Sequence, residues 1–242
     1  MGKWTLAFKY IPSLLKLTQY DLVVLLDNTG SMFTERLELG NDSLSMQALR
    51  LTLIRFSEIA KELSGFEIPM EFIEGDYVGT YISQKNVDGN LAAVGFPGYA
   101  RLGTMLKKRV VGPILLNRNR KRPIISIVIV NHEPLQEATN TLQRTILEYK
   151  ESRGADTRSR FLILQIGNDS SVTKLLTQVR SDVRIGDIVL CPNETLDEMY
   201  KSAEWPSETD TGPGRLFTGR LLKLLATLVD HDLEGVGNLP IQ

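Results

Sequence analysis

Asp27-Asn-Thr-Gly-Ser31 carries the oxygen atoms best placed to do chemistry in this chain. Asp27, Thr29 and Ser31 are alternate residues, so in a near-extended loop one carboxylate and two hydroxyls face a common point. Gly30 allows the sharp bend this needs. Such hard oxygen donors suit Mg²⁺ with waters completing the shell, and Mn²⁺ or Ca²⁺ as substitutes. Two other polar segments stand at comparable places. Leu102-Gly-Thr104 opens a helical pattern, and Asn131-His-Glu-Pro134 follows the strongest strand signal in the chain. The amide oxygen of Asn131 can coordinate a cation or hold a water, but it brings no negative charge. Each segment also has a plain structural reading. The first loop resembles a polar turn, Thr104 an N-cap, Asn131 a loop residue, and His132 a lone imidazole with neither ligand nor base role.

Strand and helix patterns alternate around these loops. Leu22 to Leu26 is a short continuous apolar run, as a strand buried on both faces requires. A helix follows, with Met46, Leu49, Leu53, Phe56, Ala60 and Leu63 at three- and four-residue spacing. Asn41, Asp42 and Ser43 offer its cap and Gly65 its stop. Ile68 to Glu74 and Tyr77 to Ile82 read as a hairpin around Gly75-Asp76, which adds one antiparallel edge strand. A helix beginning near Thr104 is disturbed by Gly112-Pro113. Ile124 to Val130 is a strand, and Pro134 suits the first turn of the next helix, with Leu135, Ala138, Leu142, Ile146 and Tyr149 buried. Phe161 to Ile166 is a strand, capped into a helix by Asp169 and Ser170. Asp187 to Leu190 is a short last strand, and a final helix carries Phe217, Leu221, Leu224, Leu225 and Leu228. This order predicts an α/β, Rossmann-like doubly wound fold. Its mainly parallel sheet has about six strands, with helices on both faces. Ligands in such a sheet gather at the carboxyl ends of the strands, where the polar loops lie.

The stretch Leu-Leu-Asp27-Asn-Thr29-Gly-Ser31-Met32 resembles the metal-ion-dependent adhesion motif of von Willebrand factor A domains, Asp-x-Ser/Thr-x-Ser. Leu102-Gly-Thr104 looks like the helix that bears the family's distal threonine. Ile127 to Pro134 resembles the strand that ends in Asp-Gly-x-Pro, and Phe161 to Asn168 the later strand with its Gly-Asn ending. The likeness spans roughly residues 19–232 and is nearest to the compact stand-alone domains of fungal and intracellular proteins. It implies a non-enzymatic module in which Asp27, Ser31 and Thr104 hold a metal directly or through water, with Thr29 bonding a water or Asp27. Asn131 stands where the family has an acidic residue. Asn28, Met32, Gly103 and His132 would surround the site on the partner's side, and a protein partner would complete the metal with an acidic side chain. Asn131 lowers the expected metal affinity and leaves open a metal-free relic that serves only as an interaction domain.

Composition narrows the remaining classes. The 242 residues suffice for one domain, expected over 19–232 between an N-terminal extension, 1–18, and a loose tail, 233–242. With 28 basic and 29 acidic residues, nothing draws the whole molecule to nucleic acid or an anionic membrane. The basic runs Lys107-Lys-Arg109 and Arg118 to Arg122 lack interleaved aromatics and read as solvated faces. The single Cys191 excludes an internal disulfide and reads as a buried thiol in a reducing, cytoplasmic setting. No apolar run approaches the ~20 residues of a membrane span. A Mg²⁺-dependent phosphohydrolase is the main enzymatic alternative. That chemistry needs a second carboxylate where Thr29 stands, and no dinucleotide-binding glycine motif or nucleophile elbow is present.

Overall fold

A computed structural model describes residues 11–28, 43–65, 67–73, 80–93, 101–117, 119–131, 137–138, 140–154, 158–203 and 213–230. Its centre is a six-stranded sheet of β1 (Asp21–Leu26), β2 (Ile68–Phe72), β3 (Thr80–Ile82), β4 (Ile124–Val130), β5 (Arg160–Gln165) and β6 (Val189–Leu190), ordered β3-β2-β1-β4-β5-β6. All neighbours are parallel except β2 and β3, which pair antiparallel with Ile68 opposite Ile82 and Met70 opposite Thr80. The antiparallel edge is therefore as expected; its turn, Gly75-Asp76, lies outside the described residues.

Alternation along the strands divides the core into two layers. Val24 and Leu26 of β1 point, with Ile125, Ile127 and Ile129 of β4, into one layer. That layer is closed by α1 (Ile11–Leu17), α2 (Leu44–Ser64), α3 (Val87–Ala93), α7 (Leu196–Ala203) and α8 (Pro213–Val229). Val23 and Leu25 point, with Val128 and Val130, into the other. There the cover is α4 (Leu102–Met105), the wide helix that continues it, α5 (Thr141–Arg153) and α6 (Ser170–Ser181). All seven residues of β4 are buried, so it reads as an unbroken apolar run instead of an alternating one.

Local chemistry sets the helix ends. Ser43 caps α2 by accepting from Met46 N at 3.2 Å, and Gly65 stops it in the left-handed region at φ 75°. Asp169 caps α6 by accepting from Ser171 N at 2.8 Å. Leu106–Leu115 is a π-helix containing Pro113, closed by Leu116 N donating to Val111 O at 2.9 Å. The disturbance expected at Gly112-Pro113 is thus a change of winding and not a break; the extra residue per turn accommodates a proline that has no N–H to give.

Two expectations need correction. The helix after β4 begins at Thr141, well past Pro134, and Ala138 is exposed and not part of its buried face. Arg109 is not on a solvated face: its side chain is 10% exposed and faces Glu71 of β2 at 3.7 Å. At the N-terminal side, α1 packs on α8, where Asp230 accepts from Ser13 Oγ and from Lys16 Nζ. Among the described residues no helix is long and apolar enough to cross a membrane.

Candidate functional site

Strand order locates the site. The chain runs from β1 outward through β2 and β3, then returns to the other side of β1 with β4. The connections therefore diverge between the carboxyl ends of β1 and β4, the topological switch point at which open α/β sheets form a crevice. Asp27 and Asn28 follow β1 directly and Asn131 follows β4. The β1–β4 ladder runs on into this pair, with Asp27 N donating to Ile129 O at 2.9 Å.

The Asp27 side chain has no solvent exposure, and its Oδ2 accepts from Asn131 N at 3.1 Å. Asn131 is itself 8% exposed. Its Oδ1 points toward the loop after β5, where Gly167 holds φ 74°. A Cβ on Gly167 would lie 3.0 Å from that oxygen, so glycine both permits the turn and leaves room for the amide. Gly167 N in turn donates to Asp197 Oδ2 at 2.5 Å. Asp197 sits in the first turn of α7, and its Oδ1 accepts from Ser45 Oγ in α2, also at 2.5 Å. The ends of β1, β4 and β5 and the starts of α2 and α7 are joined through these contacts.

Thr104 belongs to a neighbouring cluster. Gly103 N, Thr104 N and Thr104 Oγ1 all donate to the carboxylate of Glu137, at 2.7, 2.6 and 2.5 Å. An anion on the first N–H groups of a helix is favoured by their exposed partial positive charge. Gly103 is needed for the approach of α4 to α5: a Cβ there would lie 2.6 Å from Leu142 N and 2.7 Å from Thr141 C. Thr145 Oγ1 completes the clasp by donating to Gly103 O at 3.2 Å.

Asp27 and Asn131 are thus brought together, and Thr104 is held on Glu137. Asn28 and Gly103, expected on the partner's side, are both buried. Thr29, Ser31, Met32 and His132 lie outside the described residues. Glu137 and Asp197 carry no local signal, since their partners stand 30 to 152 residues away in the chain. As donors, a buried carboxylate, an amide oxygen and hydroxyls fit a hard divalent cation by type. Among the described residues no three His, Cys, Asp or Glu side chains gather as a metal-holding group. Cys191 is buried, and burial pushes its thiol up to about 12, so it offers no thiolate. No family model matches the chain, and no curated protein matches it in sequence.

Proposed function

We propose that the chain is a non-enzymatic, von Willebrand factor A-type binding module that engages an acidic group of a protein partner through one divalent cation at the β1–β4 switch point. The observation that carries this is the fully buried carboxylate of Asp27, fixed by the Asn131 N–H where a crevice must open. A carboxylate oxygen is a hard donor, and its negative charge favours a bound divalent cation. Asp27 and the hydroxyls of Ser31 and Thr104 would hold Mg²⁺, with Thr29 and Asn131 contributing through water. With few protein anions around it, the cation would stay electrophilic and take a partner's carboxylate. Its role would be to bridge; turnover is not expected, because Thr29 replaces the second carboxylate that phosphoryl transfer would use.

One observation favours a second reading. Asn131, beside Asp27, adds an amide and no charge, which suits an interaction domain whose metal site is a relic. Calorimetric titration with Mg²⁺ and Mn²⁺ separates the two. Under the first reading the wild type binds at millimolar metal or tighter, Asp27→Asn abolishes the heat, and Asn131→Asp tightens binding by about tenfold or more. Silence in the wild type, with binding only in Asn131→Asp, establishes the relic. Silence in both removes the metal site altogether.

A further inference from the structure

The opposite edge of the sheet, where β4 and β5 begin, holds a cleft of about 120 Å³ that the switch-point chemistry does not use. Arg120, Lys121, Arg122, Arg153 and Arg158 line it, with Tyr149 at its apolar side. These cations come from three places: the segment entering β4, the last turn of α5, and the segment entering β5. We propose that this cleft is a binding site for a single phosphate group, either inorganic phosphate or a monoester on a small organic molecule.

Charge is the first support. Arg120 and Arg122 share one carboxylate, that of Asp21, at 3.5 and 3.2 Å. Lys121 and Arg153 have no ion pair among the described residues. Cations gathered around one concavity repel each other, and a multivalent anion placed among them relieves that repulsion.

Preorganisation is the second. Arg122 donates to the carbonyls of Thr18, Gln19 and Tyr20, and Arg153 Nη2 donates to Leu115 O at 2.6 Å. Both guanidinium groups are therefore held in place before any ligand arrives. The bond to Leu115 does not take up the whole guanidinium of Arg153, whose other N–H groups carry its charge at the cleft. Guanidinium groups pair bidentately with phosphate oxygens, and cations on several sides suit an anion that carries more than one charge.

Size is the third. The volume is sufficient for one tetrahedral anion together with water. The lining offers one aromatic ring, Tyr149, which is 2% exposed and closed to base stacking.

The test is calorimetric titration of the whole chain with inorganic phosphate and with glycerol phosphate, against sodium chloride at matched ionic strength. Saturable binding of one equivalent is expected, weakened about tenfold or more by Lys121→Gln and again by Arg153→Gln. Lys121 is exposed, so its variant keeps the fold even if Arg153→Gln does not. Equal affinity for both phosphates assigns the site to the free ion; preference for the monoester assigns it to an organic carrier. Three results overturn the proposal: no saturation at about 10 mM, equal binding by wild type and Lys121→Gln, or a preference for a single-stranded oligonucleotide.

Discussion

Asp27 combines two roles that substitution can separate. As an acceptor, it satisfies the N–H of Asn131, which is buried with it. As a charge, it is an anion that a bound divalent cation would neutralise. Asn keeps an acceptor oxygen and removes the charge, whereas Ala removes both. In buffer freed of divalent cations, Asp27→Asn, which keeps the acceptor, is therefore expected to lose less stability than Asp27→Ala. Asp27→Ala should lose about 1–3 kcal/mol, the usual cost of stranding a buried donor. Urea denaturation of the three proteins decides it. A loss in Asp27→Asn as large as that in Asp27→Ala would mean that the fold needs the charge itself.

Among the elements, the contact of α4 with α5 is the tightest constraint near the site. Both helices approach at Gly103, where any side chain meets the backbone of Thr141 and Leu142. Gly103→Ala should cost about 1–3 kcal/mol by overpacking, seen as a lower urea midpoint with an unchanged slope. An unaltered midpoint would show that the two helices slide apart freely. The same pair marks where sequence stops being informative. Gly103 shows no pattern of its own, because its need arises from a helix that begins 38 residues later. Elements with many repeats or a side-chain cap, such as β4, α2 behind Ser43 and α6 behind Asp169, could be read in advance. The short helices α3 and α7 could not, since two turns give too few repeats to separate period from chance. α5 starts at Thr141 and not at Pro134, because a proline is compatible with a first turn but does not compel one. In the site, strand ends exposed Asp27 and Asn131 to sequence reading. Glu137 and Asp197 were hidden because only the folded sheet brings them to their partners.

For the whole molecule, the two sheet edges differ in charge character, with a buried carboxylate at one and five cations at the other. Between them the β2–π-helix contact supplies a titrating group that reports on the fold as a unit. Glu71 on β2 faces Arg109, yet burial outweighs that cation and holds the Glu71 carboxyl above its ordinary value of 4.5. The native state therefore keeps this proton at a pH where the unfolded chain has released it. Its contribution to stability is complete below the ordinary value and is lost as pH rises through the raised one. Glu71→Gln mimics the protonated form at every pH. The stability of wild type relative to Glu71→Gln should thus decline as pH rises above the ordinary value of 4.5, measured by urea denaturation at each pH. A difference that stays flat would mean that Arg109 cancels the effect of burial, and one that grows with pH would mean that the ion pair dominates it.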